Sequence, residues 1–323
     1  MSQVKRIVVS GASSGIGAAT AIAFAAKGAR LVLAARGVEG LEDTAARCRA
    51  AGGQAHVVTC DVTDADAVAR LVQEANGVLG GIDLWFSDVG VGVVGRFVDV
   101  PMADHKRVID ANLVGHMTEA HALLPIFLAQ GHGIWVNMIS VGGFVATPWA
   151  AAYAASKFGL RGFSQALRGE MSKIARIHIC DVYPTFVDTP GIDHAGNHAG
   201  GALGLPVGAL TPETVAKAVV RLADHPRDTT VVGAPALAMK LAQFFVPNLG
   251  AAAMNGFMDS WFAHAAPAPA TDGVLFAAGQ GAPGPSGDRI RPDQRRTATL
   301  AIGGAAVAGI AAGLFVLARR RDA

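Results

Sequence analysis

Short apolar runs alternate with longer amphipathic stretches along the first 233 residues of the chain. Seven of these runs are nearly all apolar and rich in β-branched residues, which predicts strands covered by helices on both faces. The predicted strands span residues 6–10, 30–35, 55–59, 82–87, 133–140, 177–183 and 229–232. The predicted helices between them span residues 16–27, 39–50, 65–75, 104–129 and 150–174. Strands that alternate with helices in this way predict an α/β fold built on one parallel sheet.

The pattern changes after the seventh predicted strand. Two apolar helices are predicted at 235–245 and 249–262, and the residues after them are rich in Ala, Pro, Gly and Asp, which predicts a disordered linker. An uncharged run with arginines on both sides is then long enough to cross a bilayer and predicts one transmembrane helix, with a buried Ala/Gly-rich helix as the alternative. The predicted order is a folded domain (1–262), a linker (263–296), a transmembrane helix (297–318) and a basic tail (319–323).

Composition and charge narrow the classes of protein. The chain is 51% hydrophobic and 16% charged, which excludes disordered and coiled-coil proteins. The net charge of +2 comes from the C-terminal tail, so the body lacks the positive surface that nucleic-acid binding needs. Cys48, Cys60 and Cys180 lie far apart without metal-binding spacing, which is typical of a reducing compartment. With no secretory signal in the first residues, we expect a cytoplasmic body anchored to a membrane by a single C-terminal pass.

A glycine-rich turn, SGASSGIG, follows the first predicted strand and opens a predicted helix. Glycines at Gly11, Gly15 and Gly17 let the backbone turn tightly and approach a phosphate, while the helix N-terminus offers free N–H groups to it. Arg36 ends the second strand, where an acidic residue would hold the ribose hydroxyls of NAD. A guanidinium there can pair with a 2′-phosphate, which favours NADP(H), with NAD(H) as the alternative cofactor. A solvated arginine at the start of a helix is the other interpretation of Arg36.

Polar residues at the ends of two later strands complete the candidate chemistry. Asp61 ends the third strand and is placed to meet the adenine edge, whereas Asp64 is better placed to cap the next helix. Ser140 ends the fifth strand, and Tyr153 and Lys157 follow it at helical i, i+4 spacing. The ammonium group is expected to lower the phenol pKa from about 10, which would make Tyr153 a general acid/base. A surface pair on an Ala-rich helix is the alternative.

These motifs, with ANLVG around Asn112 and the later YPTFVDTP, resemble the short-chain dehydrogenase/reductase family over roughly residues 4–233. The resemblance implies a Rossmann-type, doubly wound sheet of seven parallel strands with helices on both faces. It also implies reversible hydride transfer between a nicotinamide and an alcohol or carbonyl carbon. In this family pattern Tyr153 exchanges a proton with the substrate oxygen and Ser140 hydrogen-bonds that oxygen. Lys157 holds the nicotinamide ribose and lowers the Tyr153 pKa, and Asn112 organises a proton path behind it.

The same resemblance implies cofactor contacts and an assembly. The contacts fall on Gly11, Ser13, Ser14, Gly15, Ile16, Gly17, Arg36, Asp61, Val62, Gly90, Tyr153, Lys157, Val187 and Thr189. A homodimer or homotetramer through the predicted helices at 104–129 and 150–174 is expected, with no nucleic-acid partner.

Two runs depart from the family pattern. Residues 87–90 read Ser-Asp-Val-Gly where the family usually has Asn-Asn-Ala-Gly, and Asp88 beside a nucleotide is unfavourable unless a backbone N–H donates a hydrogen bond to its carboxylate. Pro184 and Thr185 stand where the family usually has Pro-Gly, which removes easy access to positive φ. The altered first run supports an alternative function, a non-catalytic nucleotide-binding scaffold or sensor at the membrane.

The substrate side is predicted from apolar and flexible stretches. Residues 189–210 are rich in Gly and His, as expected of a mobile lid. His194 and His198 lie in this stretch at helical spacing, but no carboxylate or cysteine is placed to complete a site with them, so no metal is expected. An apolar carbonyl or alcohol substrate is predicted, in a pocket formed by Ser140, Phe144, Trp149 and Phe186.

Overall fold

The computed structural model describes residues 5–206, 208–233, 247–281 and 284–289. Within these ranges the strands are β1 (Arg6–Ser10), β2 (Arg30–Ala35), β3 (Gln54–Thr59), β4 (Leu84–Ser87), β5 (Val93–Val94), β6 (Gly133–Met138), β7 (Ile177–Pro184), β8 (Gly196–Asn197) and β9 (Thr229–Val232). The α-helices are α1 (Gly15–Ala25), α2 (Val38–Ala50), α3 (Ala65–Leu79), α4 (Met102–Ile109), α5 (Gly115–Gln130), α6 (Ala151–Met171), α7 (Pro212–Leu222) and α8 (Pro247–His264).

Seven of the strands form one parallel sheet in the order β3-β2-β1-β4-β6-β7-β9. The predicted seven-stranded parallel sheet is thus confirmed. The chain winds outward from β1 to β3 and then returns to place β4 on the other side of β1, in register from Ile7 opposite Leu84 to Ser10 opposite Ser87. Open α/β sheets bind ligands in the crevice beyond the carboxyl ends of their strands at such a point of reversal. The predicted site residues follow these strand ends.

Two apolar clusters cover the two faces of the sheet, as the apolar runs predicted. Alternate residues of a strand point to opposite faces, so Ile7 and Val9 of β1 join one cluster and Val8 joins the other. The first cluster packs α1, α2 and α7 on the sheet, and the second packs α3, α5 and α6. Trp85 and Trp135 stack side by side in the second cluster, with ring centroids 6.3 Å apart.

The single helix predicted at 104–129 is divided in the structure. A π-helical turn at Asp110–Val114 joins α4 to α5. A Cβ at Gly115, the first residue of α5, would lie 2.6 Å from the Val62 side chain, so only glycine lets the turn pack this closely on the loop after β3. Turns of this kind occur frequently at functional sites, and this one contains Asn112.

The C-terminal part agrees with the prediction for one helix and differs in the linker. Helix α8 contains the helix predicted at 249–262, which is confirmed, whereas the helix predicted at 235–245 lies outside the described residues. The predicted disordered linker is wrong for its described part, because Leu275 is fully buried against the body. The prediction used the average composition of a Gly/Pro-rich stretch, which does not show that a single apolar residue can fix the stretch to the body. None of the described helices is long and apolar enough to cross a membrane, and residues 297–318 and 319–323 lie outside the described part.

Candidate active site

Ser140, Tyr153 and Lys157 come together where β6 ends and α6 begins. The Tyr153 phenol is hydrogen-bonded to the Ser140 side chain. The Lys157 Nζ atom lies 5.7 Å from the centroid of the Tyr153 ring and donates a hydrogen bond to the Met138 carbonyl oxygen at 3.0 Å. Lys157 is almost completely buried, so the alternative of a surface pair is wrong. The i, i+4 spacing has placed the ammonium group against the face of the phenol ring.

The backbone around Ser140 is shaped to hold its hydroxyl in place. Ser140 has φ 128°, an unfavourable angle for a residue with a side chain, and its Oγ accepts a hydrogen bond from the Gly142 N–H at 3.1 Å. A Cβ at Gly142 would lie 3.2 Å from the Tyr153 ring, and one at Gly143 would lie 3.0 Å from the Lys157 carbonyl oxygen. The two glycines therefore allow the turn to approach α6. Backbone strain of this kind is concentrated at functional sites.

The pKa of Tyr153 differs from the expectation. Burial raises it, the hydrogen bond with Ser140 opposes that rise, and the charge of Asp88 adds to it. Burial also lowers the pKa of Lys157 to about 8, against the attraction of Asp88. The predicted net lowering of the Tyr153 pKa is therefore wrong. Burial penalises the charged form of each group and is the largest cause of both shifts.

Asn112 links the end of β4 to α6 next to Lys157. Its side-chain amide exchanges two hydrogen bonds with the Val91 backbone, accepting from N–H at 2.8 Å and donating to the carbonyl oxygen at 2.9 Å. It also donates to Ser156 Oγ at 3.3 Å. A Cβ at Gly90 would lie 3.8 Å from both Asn112 Oδ1 and Lys157 Nζ. The structure thus places Asn112 and Gly90 beside Lys157.

The altered run at 87–90 is supported by a buried polar network that the sequence did not predict. Ser87 Oγ is hydrogen-bonded to Glu119 Oε2 and, at 2.9 Å, to His116 Nδ1. His116 Nε2 lies 2.8 Å from the Val89 carbonyl oxygen. Burial lowers the pKa of His116 to about 4 and raises that of Glu119 to about 7. In the sequence, this network was indicated by two titratable residues, His116 and Glu119, on the inward face of the largely apolar helix α5.

The two departures from the family pattern are accommodated locally. The Asp88 carboxylate accepts a hydrogen bond from the Gly17 N–H, which is the backbone partner the sequence required. Burial nevertheless raises the pKa of Asp88 to about 8, against the charge of Lys157 and that hydrogen bond. Thr185 avoids positive φ, and its N–H donates to the Val232 carbonyl oxygen at 3.3 Å, so it extends the pairing of β7 with β9.

The turn after β1 requires glycine at three positions. A Cβ at Gly11 would lie 2.6 Å from the Asp88 carbonyl oxygen, and one at Gly17 would lie 2.2 Å from the Gly11 carbonyl oxygen. Gly15 has φ 59°, and a Cβ there would lie 3.4 Å from Thr189. This crowding leaves a cradle lined by backbone at the N-terminus of α1, where N–H groups point outward. A diphosphate fits such a cradle.

The other predicted cofactor contacts lie around this turn. Ser13, Ser14 and Ile16 are half-buried within it, and Ser14 begins α1 without a side-chain capping hydrogen bond. Val62 is 5% exposed and packs on the π-helical turn, so it supports the groove from below. Val187 forms a bridge with Leu210, and Thr189 begins the next short turn. The structure therefore brings these predicted residues to one edge of the sheet.

Two arginines converge at the other end of the groove. Arg36 is half-buried and donates to the Leu275 carbonyl oxygen at 3.1 Å, so a purely solvated role is wrong. Arg107 of α4, which the sequence did not single out, donates to the same oxygen at 2.8 Å and to Asp61 at 2.7 Å. Burial would raise the pKa of Asp61, but hydrogen bonds from Thr63 and Arg107 outweigh it and lower that pKa. Asp64 caps α3, as predicted.

The residues predicted for the substrate pocket lie in different environments. Trp149 stacks on Phe262 of α8 with ring centroids 4.8 Å apart, and Phe186 is 47% exposed. Phe144 is instead buried, 4.2 Å from the ring of Tyr183, so its placement in the pocket is wrong. The β6–α6 turn folds Phe144 into the core, which its position in sequence did not reveal. Phe262 is the aromatic residue that the prediction missed.

His198 lies beside two carboxylates that are distant from it in sequence. The fold brings Asp104 to 2.9 Å and Asp272 to 3.9 Å from His198 Nε2, so the expectation that no carboxylate is placed beside this histidine is wrong. In the described part of the chain these three residues could together offer one ligand atom each to a metal. The Asp104 hydrogen bond already gives His198 a partner, and His194 is not in this group.

Known proteins resemble this chain in sequence and in fold. Residues 5–198 match the family model of short chain dehydrogenases. The chain is 31% identical over 279 residues to the uncharacterized oxidoreductase YxnA of Bacillus subtilis, covering 85% of this chain and 78% of that protein. An alcohol dehydrogenase of the archaeon Thermococcus sibiricus, complexed with 5-hydroxy-NADP, superposes with a TM-score of 0.62 at 27% identity, over 71% of this chain and 94% of that one. A metagenomic short-chain oxidoreductase in complex with NADP gives 0.62 at 29% identity, over 72% and 98%.

Proposed function

The chain belongs to the short-chain dehydrogenase family, and we propose that it transfers a hydride between NADP(H) and a carbonyl or secondary alcohol. The observation that carries this proposal is the grouping of Ser140, Tyr153 and Lys157 beside the crevice of the sheet. A phenol held between a hydroxyl and an ammonium group is suited to exchange a proton with a substrate oxygen.

Three features of the groove support NADP(H) as the cofactor, with NAD(H) as the weaker alternative. The glycine cradle at Gly11, Gly15 and Gly17 offers backbone N–H groups to a diphosphate. Arg36 and Arg107 converge on one atom, so their combined charge suits a 2′-phosphate. Two solved relatives carry NADP or its 5-hydroxy analogue. The bound cofactor supplies or accepts the hydride.

The residues of this chain handle the proton. During reduction the Tyr153 Oη–H donates to the carbonyl oxygen of the substrate, and Ser140 hydrogen-bonds that oxygen. The raised pKa of Tyr153 keeps the phenol protonated near neutral pH, which suits this direction. Lys157 contributes positive charge beside the phenolate that is left. Asn112, fixed by the Val91 backbone, orders the path along which a proton returns.

An apolar substrate is part of the proposal. Trp149 and Phe262 form an aromatic wall on the substrate side, and the exposed ring of Phe186 adds to it. Apolar walls with few polar groups favour ligands that lose little hydration on binding. Long-chain or ring ketones should therefore be reduced faster than small sugars, and the reverse order would contradict this assignment.

Membrane attachment and self-association belong to the proposal as well. The apolar run at 297–318 supports a single C-terminal anchor with the catalytic domain in the cytoplasm, and fractionation of cells expressing chains with and without this run tests it.

Exposed apolar side chains along α5 and α6, among them Met117 and Phe158, support a homodimer or homotetramer. Met117→Glu should then shift the protein to a smaller species in light scattering.

The decisive experiment measures NADPH oxidation with a panel of ketones, aldehydes and lipid-like carbonyls. Tyr153→Phe should lower turnover by about 10²–10⁴-fold while NADPH still binds. The matched control is Tyr183→Phe, because Tyr183 is the other tyrosine of the chain, is buried, and donates its hydroxyl hydrogen bond to Asp181. NADPH binding without turnover in the parent protein would support the non-catalytic scaffold instead.

A further inference from the structure

The chain's own C-terminal segment lies along the groove assigned to the cofactor. We call residues 271–281 and 284–289 the strap. At its start, Leu275 is fully buried among Val93, Val100 and Val108 and fixes the strap to the body. Its composition after Phe276 is almost entirely Gly, Ala, Pro and Ser, so it can lie close to backbone without bulky side chains in the way.

Carbonyl oxygens of the strap accept hydrogen bonds from the same groups that the proposed function assigns to phosphates, the Arg36 guanidinium and the Gly15 N–H. Arg36 donates through one nitrogen to the Val274 carbonyl oxygen at 2.6 Å and through another to that of Leu275 at 3.1 Å. The N–H of Gly15, at the start of α1, donates to the Gly284 carbonyl oxygen at 3.1 Å. These groups cannot serve a carbonyl oxygen and a phosphate oxygen in the same geometry at once.

Further contacts hold the strap along the length of the groove. The Gly281 N–H donates to Glu39 at 2.9 Å beside the turn after β2. At the far end the Arg289 N–H donates to Asp188 at 2.9 Å, and the Arg289 guanidinium pairs with Asp193. The strap therefore passes the adenosine end, the diphosphate cradle and the loop of Thr189 in the order in which an extended dinucleotide would.

We propose that the strap is an intramolecular competitor of NADP(H), docked in the cofactor groove of the free protein and displaced when the cofactor binds. This inference rests on the proposed function and adds a means of regulation to it. The strap offers neutral carbonyl oxygens to Arg36 and Gly15, whereas a phosphate offers them charged oxygens and stronger hydrogen bonds, so the cofactor can displace the strap. Covalent attachment gives the strap a local concentration of roughly millimolar order, so weak contacts suffice to keep it docked.

The test uses the full chain with two changes in the strap. Gly281 has φ 76° and donates its N–H, so Gly281→Pro removes both the backbone angle and the hydrogen bond. Arg289→Ala removes the guanidinium contacts with Asp188 and Asp193 and keeps the backbone N–H bond to Asp188. Neither residue belongs to the proposed catalytic or cofactor-binding machinery. The control combines Ala270→Pro with Arg70→Ala, one proline and one alanine replacement at exposed positions outside the strap.

The dissociation constant of NADPH is measured by fluorescence for the parent, the double variant and the control. A strap docked for about nine-tenths of the time weakens apparent binding about tenfold, so a double variant with the strap fully released should bind NADPH about tenfold more tightly. NADH affinity should rise by a similar factor, and the control should match the parent. Unchanged or weaker binding in the double variant would overturn the inference, since weaker binding means that the strap covers the cofactor rather than competing with it.

Amide hydrogen exchange in the parent protein gives a second readout. Saturating NADPH should speed exchange at Gly281 and Gly287, whose N–H groups donate to the body in the docked strap. Slower exchange there would contradict displacement.

Strap-dependent NADPH binding without turnover would overturn only the catalytic proposal. Absence of NADPH binding in both parent and double variant would overturn the inference and the cofactor assignment together.

Discussion

The catalytic end and the nucleotide end of the groove are held by contacts of very different range in sequence. At the catalytic end, Lys157 reaches the Met138 carbonyl oxygen across 19 positions of the chain, within one strand, turn and helix. At the nucleotide end, Arg36 reaches the Val274 carbonyl oxygen across 238 positions. The first set of contacts follows from local helix and strand geometry, whereas the second depends on where a distant segment docks. We therefore expect substitutions at the catalytic end to affect the chemistry and those at the nucleotide end to affect binding.

The largest effect is expected from Lys157→Met, which keeps most of the side-chain volume and removes the charge beside the Tyr153 ring. Turnover in the NADPH oxidation assay should fall by about 10²–10⁴-fold, because the phenolate left after proton donation loses its stabilising charge. The control is Lys217→Met on the exposed face of α7, which should keep parental turnover. If the Lys157→Met protein kept more than a tenth of parental turnover, the proposal that Lys157 stabilises the Tyr153 phenolate during the reaction would be wrong.

The same contrast in sequence range explains what could be predicted from the sequence. The strands were predictable because continuous apolar runs bounded by turns specify buried parallel strands, and the grouping of Tyr153 with Lys157 follows from helical spacing. Arg107 and Phe262 were missed because only tertiary packing brings them to the groove. Phe144 was misplaced because the direction of a turn residue depends on the fold around it. The strap was predicted as disordered because composition averages over its single buried anchor, Leu275.

Gly17→Ala should weaken NADPH binding at the nucleotide end of the groove and leave the positions of Ser140, Tyr153 and Lys157 unchanged. The added methyl would lie 2.2 Å from the Gly11 carbonyl oxygen, so the cradle must shift. Overpacking of this kind costs about 1–3 kcal/mol, and NADPH affinity should fall by roughly tenfold or more. Gly162→Ala in α6 is the matched control, because a Cβ there meets nothing within 4 Å and should leave both the melting temperature and NADPH affinity near parental values. Equal effects of the two substitutions would argue against a tight cradle.

Arg107→Ala should change the preference between the two cofactors. Hydrogen bonds to charged groups contribute about 1.5–3 kcal/mol each, so loss of one guanidinium should raise the KM for NADPH by roughly tenfold or more. The KM for NADH should change much less, because NADH has no 2′-phosphate. The ratio of the two KM values isolates this effect, since any release of the strap changes binding of both cofactors alike. An unchanged ratio would remove Arg107 from the 2′-phosphate site.

The smallest effect concerns the buried network beneath both ends of the groove. Burial raises the pKa of Glu119 to about 7 from an ordinary value of 4.5, so its protonated form favours folding. That contribution is complete below the ordinary pKa and is lost as the pH rises through about 7. Glu119→Gln keeps a neutral, hydrogen-bonding side chain at all pH values.

The variant should therefore gain melting temperature relative to the parent between pH 5 and pH 8, by roughly 2–6 °C. His116 does not obscure this window, because burial lowers its pKa to about 4 and leaves it neutral throughout. The matched control is Glu170→Gln on an exposed position of α6, which should run parallel to the parent across the same range. A difference between Glu119→Gln and the parent that stays constant with pH would show that Glu119 is charged in the folded protein at pH 5. Ser87 would then hydrogen-bond a carboxylate, and the network would carry a negative charge beneath the cofactor groove.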